Sequence, residues 1–215
     1  MNARLTTLTA LIVAFATACT SAAPATPTAP GIELAAASVP RTAADAADAL
    51  KAAQGMNAFG LDLYRRVATG TGNVVISPAS VALALSMARP GARGETAAQM
   101  DTVLRAIASD DHAGWMNALE AALTARTGTF KDSGGKDSDV TLRIANAPFG
   151  QRGMTLVPAY LDALASRFGA GLRLVDFVAD TEPARQLINL WTSDQTERRI
   201  PELLAKGILD QSTRL

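Results

Sequence analysis

Residues Asn73 to Gly94 read NVVISPASVALALSMARPGARG, and the order in which residue types change along them outlines a fold. Val74, Val75 and Ile76 are a β-branched run of the kind that suits a strand buried on both faces. Ser77 is placed to accept hydrogen bonds from the unpaired amides of a first helical turn, and Pro78 stands at N1, where a missing N–H costs nothing. From Val81 to Ala88 the one polar side chain is Ser86, so the predicted helix has no solvent-facing stripe and belongs inside a domain. Arg89, Pro90 and Gly91 end it. Neither Ser77 nor Ser80 is assigned a catalytic role, because N-cap and N3 spacing accounts for both and no Gly-x-Ser-x-Gly elbow surrounds them.

Upstream, Thr42 with Asp45 at N3 predicts the start of a long amphipathic helix, along which Ala46, Ala49, Ala53, Met56, Gly60, Leu63 and Val67 recur at three- and four-residue steps. Downstream, one helix presents Ala97, Met100, Val103, Leu104 and Ile107 on a face, and another from about Asp111 presents Trp115, Leu119, Ala122 and Leu123. His112, at the start of the latter, is read as a surface residue with no catalytic task. Lys131 to Asp139, KDSGGKDSD, lacks the acid spacing and closing Glu of an EF-hand and reads as a solvated loop. Val140, Leu142 and Ile144 alternate with polar residues, predicting a strand that runs on toward Gln151, with Pro148 suited to an edge or bulge. Pro158 opens a helix that Gly169 and Gly171 end, Leu172 and Leu174 share one face of a strand, and Thr181 is the expected cap of a last helix with Ala184, Leu187, Ile188 and Trp191 inward.

Several of these segments, in this order, resemble the serpin family. Ser77, Pro78, Ser80, Gly91, Ala92, Gly94, Glu95 and Thr96 carry the first motif. Ile144, Ala145, Asn146, Phe149 and Gln151 carry a second. Phe168-Gly169-Ala170 followed by Val175-Asp176-Phe177, and Ile188-Asn189-x-Trp191 with Thr196, complete the match from about Thr42 to Leu215. The resemblance implies an α+β, serpin-like mixed fold with helices packed around part of the main β-sheet. It implies that Ser77 and Ser80 lie under that sheet where it opens during inhibition, that Asn189 makes a polar contact to the sheet, and that Trp191 is core. It also implies a function: inhibition of serine or cysteine endopeptidases by an exposed reactive loop that is cleaved as bait and inserts into the sheet. That loop lies near the family's C-terminus and is expected to be absent from these residues, which read as the N-terminal portion of a serpin domain whose connection after Ile200 leads back toward the middle of the sheet. The partner implied is a target protease. A non-inhibitory serpin-fold envelope scaffold or binding protein is the alternative, and a hydrolase resting on the single His112 ranks third.

Composition narrows the classes further. The 215 residues carry 20 basic and 20 acidic side chains with no basic run, so no nucleic-acid surface is expected. One His and one Cys fall short of the usual zinc ligand set and no phosphate-binding Gly-rich loop occurs, so neither metal nor cofactor is expected, and the protein is not read as an enzyme. Residues 1–18 read as a signal peptide, with Arg4, an apolar stretch from Leu5 to Ala16 and the small-residue context Ala16-Thr17-Ala18. Cys19 follows in a context similar to a bacterial lipobox, although Ala16 stands where that pattern usually has Leu. Cleavage after Ala18 with lipid on Cys19 would anchor the protein to a membrane, whereas ordinary cleavage nearby would release it; anchoring is the favoured reading. Either places the protein outside the cytoplasm, in the cell envelope or beyond it. Residues 19–40 then form a lipidation site and an Ala/Thr/Pro-rich linker, in which Pro24, Pro27, Pro30 and Pro40 argue against helix or strand, and 41–215 form the domain.

Overall fold

The computed structural model describes residues 31–106 and 109–215; Cys19 and the predicted signal peptide lie outside them. Within them the order is β1 (Glu33–Ala35), α1 (Ala46–Val67), α2 (Pro78–Ala88), α3 (Gly94–Leu104), α4 (Ser109–Thr124), β2 (Gly128–Lys131), β3 (Asp137–Val140), β4 (Phe149–Gln151), α5 (Pro158–Phe168), β5 (Leu172–Val175) and α6 (Thr181–Gln195). The fold is mixed α+β. One sheet has the order β1-β5-β4, with β1 antiparallel and β4 parallel to β5, and β2 and β3 form a separate hairpin. The parallel pair needs a crossover, which α5 supplies.

Helix α2 starts where its sequence says it should. Ser77 is the N-cap and accepts from the Ser80 N–H at 3.4 Å, with Pro78 at N1. Ala82, Leu83, Ser86 and Met87 face α1, α4 and the underside of the sheet and are buried, while Val81 and Leu85 stay exposed on the opposite side. The expected strand at 74–76 does not form: Val74 is exposed, Val75 is 95% exposed, and the segment joins no sheet. A β-branched run becomes a strand only when a neighbour takes up its amides and carbonyls, and no described segment lies alongside.

The core has two parts on either side of the sheet. Beneath it, Leu164, Leu172, Met116, Phe59 and Leu83 draw α1, α2, α4, α5 and β5 together. Above it, Ile32, Val175, Phe177, Ala184 and Ile188 seat α6. Alternation along β5 does not sort its residues cleanly into buried and exposed, since Leu172, Leu174 and Val175 are all buried and Arg173 is half-buried. This is the pattern of a strand with helices on both faces.

Several boundaries differ from the sequence reading. Asp45, not Thr42, caps α1, accepting from the Ala47 N–H at 2.9 Å; the Thr42 backbone is committed elsewhere, with its N–H donating to Ser166 O and its carbonyl accepting from the Asn117 side chain. The stripe of α1 also runs through Ala52 and Phe59, whereas Val67 is exposed. Asp180, not Thr181, occupies the N-cap position of α6. The predicted strand over Val140–Gln151 is split: β3 ends at Val140, β4 begins at Phe149, and 141–148 form neither. The loop 131–139 is exposed as expected, but its ends are β2 and β3, closed by an Asp132 carboxylate that accepts from the Gly134 and Lys136 amides and by Gly135 at φ +80°. Cross-strand bonds from Thr129 to Asp139 and from Lys131 to Asp137, both 2.7 Å, pin that hairpin.

The largest departure is at the predicted linker. Residues 31–42 are a strap across the domain rather than a spacer. Glu33–Ala35 pair with β5, Ile32 is buried against α6, and Arg41 donates to Asn117 at 2.8 Å and Glu120 at 2.7 Å. Pro30 and Pro40 bracket this strand without falling inside it, so no ladder donor is lost.

Candidate functional site

The sequence-singled residues fall into two groups. Ser77, Pro78, Ser80 and Asn146 meet at the start of α2. Ser77 Oγ and Ser80 Oγ are 2.8 Å apart, and the Asn146 side-chain amide donates to Ser80 O at 3.1 Å, tying the segment before β4 to the first turn of the helix. Pro78 packs on α1 at Gly60, where a Cβ would stand 2.8 Å from the proline ring. The cluster is a joint between α1, α2 and the sheet, satisfied by its own hydrogen bonds.

Asn189 and Trp191 belong to α6, on the other side of the sheet. The side-chain hydrogen bonds of Asn189 go to the segment after α6 and not to the sheet, where the resemblance placed its polar contact. Its carbonyl oxygen accepts from the Leu203 and Leu204 amides at 3.0 and 2.8 Å, and its NH2 donates to Leu204 O at 3.0 Å. One turn earlier, Arg185 donates to Glu182 in a two-pronged pair at 2.8 and 2.9 Å, to Glu202 at 2.6 Å and again to Leu204 O. Positions 185 and 189 are neighbours on one helical face, and together they clamp 202–204 onto α6. The Arg185 clamp was legible only as a Glu-x-x-Arg spacing. Trp191 is half-buried, edge-on to Phe149 with ring centroids 5.6 Å apart, and stacked by the Arg173 guanidinium at 5.1 Å. It therefore links α6 to β4 and β5 instead of filling the core.

Hydrogen bonds from Arg185, then Gln186, hold the Glu182 carboxyl down at about 2. A depressed carboxyl stabilises the fold above its ordinary value of 4.5 and ceases to do so as pH falls toward about 2. Glu182→Gln is accordingly expected to melt below the parent protein at neutral pH, with the gap closing between pH 4.5 and 2. A gap that stays constant through that interval in thermal melts would show that the clamp adds no pH-linked stability.

His112 corrects the surface reading. It is 4% exposed, and its Nε2 lies 2.9 Å from Ser86 Oγ. Burial lowers its pKa, the nearby Asp101 carboxylate opposes that, and Arg89 reinforces it. The pair has the spacing of a nucleophile and its base, but its surroundings serve packing. Ser86 is 1% exposed in the interior of α2, where backbone amides are committed to the helix and not available to an oxyanion. Both Asp101 oxygens are taken by Arg89 at 2.6 Å, which lowers the Asp101 pKa, and among the described residues no carboxylate is hydrogen-bonded to the ring. Ser86 and His112 lock α2 to α4.

At the free side of β4, the Gln151 N–H donates to Arg214 O at 2.9 Å. The segment after the α6 clamp thus returns to the sheet and begins to pair beside β4. The Gln151 side chain meanwhile accepts from the Phe177 amide at 2.8 Å and donates to Asp176 at 3.0 Å, fixing the turn that follows β5. Amide bonds from Ala179, then the Gln151 side chain, keep the Asp176 pKa low.

Known proteins share this arrangement. Leukocyte elastase inhibitor of Xenopus tropicalis is 35% identical over 159 residues, and that of Sus scrofa 36%, each match covering 73% of this chain. The chain spans about two fifths of the length of these relatives, 40% and 39%. Among solved structures, cleaved Serpin 42Da superposes with a TM-score of 0.63 at 26% identity, covering 79% of this chain and 43% of the other. Arabidopsis AtSerpin1 in its native stressed conformation, at 21% identity, TM-score 0.62, and coverage of 80% and 42%, shares the fold. Residues 54–215 match the family described as serpin (serine protease inhibitor). With the capped α2, the Asn146 tie, the β4–α5–β5 crossover and the α6 clamp accounted for along that span, this chain belongs to the serpin family.

Proposed function

We propose that these residues form the N-terminal part of a serpin-type inhibitor of serine or cysteine endopeptidases, working by reactive-loop bait and insertion. The observation that supports this reading is the return of the segment after α6 to the edge of β4. Gln151 pairs with Arg214 there, beside a short parallel strand pair over an apolar helix, and a mechanism of strand insertion needs a sheet whose middle can part and take a further strand. Relatives named for inhibiting leukocyte elastase suggest an elastase-like serine protease as the first target to try. The protein expressed from its full reading frame is expected to form an SDS-resistant one-to-one adduct with such a protease, whereas residues 31–215 alone form none. Turnover of the full-length protein as an ordinary substrate, without an adduct across serine and cysteine proteases, would favour the non-inhibitory scaffold.

We also propose export and anchoring through lipidated Cys19. Among the described residues no helix is long and apolar enough to cross a membrane, so attachment would rest on the lipid, aided by whatever second contact stabilises a single site. Labelled palmitate is expected to enter the wild-type protein and not Cys19→Ala, with the variant moving from the membrane fraction to the soluble one. Equal labelling of the two would remove the assignment.

A further inference from the structure

Between the strap and the sheet lies a cavity of about 360 Å³, lined by Leu34, Val39 and Arg41 of the strap and by Ile144, Phe168, Arg173, Trp191 and Gln195 among others. Its charges do not balance. Arg41 is paired with Glu120, which also lines the space. Arg173 is half-buried, has no carboxylate at ion-pair distance among the described residues, and rests against the Trp191 ring at 5.1 Å. Burial lowers its pKa, with no compensating acid. A guanidinium taken partly out of water without a counter-ion is costly, and a stacked indole offsets only part of that cost. Gln195 and Asn146 line the same cavity, beside the apolar residues Leu34, Val39, Ile144 and Phe168.

We propose that this cavity binds a small amphipathic monocarboxylate, its carboxylate paired with the Arg173 fork and its hydrocarbon body lying along Leu34, Val39, Ile144 and Phe168. The planar guanidinium suits bidentate carboxylate recognition, and a cavity of this volume is in the range of small-ligand sites. The strap, which supplies part of the lining, would then be held more firmly when the site is filled. The proposal does not depend on the inhibitor reading.

The test uses the protein of residues 1–215 carrying Trp115→Phe, so that Trp191 is its single tryptophan, titrated with decanoate and with decanol below their aggregation concentrations. Saturable change with decanoate, about tenfold or more weaker binding of decanol, and a similar loss of decanoate affinity in Arg173→Gln are expected, since charge-assisted bonds of this type are worth that much. Arg173→Lys, which keeps the charge without the fork, should fall between. Equal affinity for acid and alcohol, no saturable response, or undiminished decanoate binding in Arg173→Gln would each overturn the proposal. If Arg173→Gln loses its helical circular dichroism, the ratio of decanoate to decanol affinity in the Arg173 protein decides by itself.

Discussion

Asn189→Leu is expected to destabilise the fold by about 2–4 kcal/mol, the cost of leaving buried or half-buried polar groups unpaired. The substitution keeps the branched, four-heavy-atom outline of the side chain while deleting three hydrogen bonds at once, to the Leu203 amide, the Leu204 amide and the Leu204 carbonyl. Asn189 is 7% exposed, so water does not readily replace the lost bonds, and the cost falls largely on the 203–204 backbone. Arg185 still holds Leu204 O and Glu202, and the segment should therefore loosen without detaching. The measurement is a urea midpoint together with amide exchange, in which residues 203 and 204 should exchange much faster than the interior of α6. An unchanged midpoint with unchanged protection at 203 and 204 would mean that water replaces the asparagine at no cost, and the clamp would reduce to Arg185.

The second large effect separates two glycines of the same helix. In α1 a Cβ at Gly60 would meet the Pro78 ring at 2.8 Å, while one at Gly55 would meet nothing nearer than Arg105 O at 3.5 Å, an ordinary contact. Pro78 cannot rotate away, because its ring is part of the backbone at the first turn of α2. Gly60→Val is expected to cost about 3 kcal/mol through overpacking, pushing α1 off α2 at the point where Ser77 and Ser80 are joined to Asn146. Gly55→Ala should instead stabilise by about 0.5–1 kcal/mol, the helix preference for alanine over glycine. Thermal melts of both variants check the pair. The same sign for the two would place the α1–α2 contact elsewhere than at Pro78.

Both results bear on how the α2 joint works. Close glycine–proline packing with self-contained serine bonds makes the joint a rigid base for α1 and α2, as the proposed insertion mechanism would require. The α6 clamp has the opposite character. It holds a segment without regular structure by side-chain hydrogen bonds and ion pairs rather than by backbone packing.

Ser77 and Pro78 determined the start of α2 by themselves, because capping is a local bargain among residues within one turn. Gly169, at φ +59°, similarly determined the end of α5, and the apolar period of α6 was legible for the same reason, whereas along the predicted stripe of α3 Leu104 is buried, Val103 is 54% exposed and Ile107 lies outside the described residues. Where partnership decides, local pattern was insufficient. Val74–Ile76 has strand composition and no strand, for want of a neighbour to take its hydrogen bonds. Glu33–Ala35 sits in a proline-rich stretch and is a strand, because the edge of β5 accepts it. His112 is polar at a helix start and buried, because Ser86, twenty-six residues earlier in the chain, supplies its partner. Propensities and caps are energies of neighbours in sequence, and the residues themselves state them. Strand pairing, the burial of a histidine and the lone charge of Arg173 are energies between segments distant along the chain, and only the tertiary structure brings those segments together.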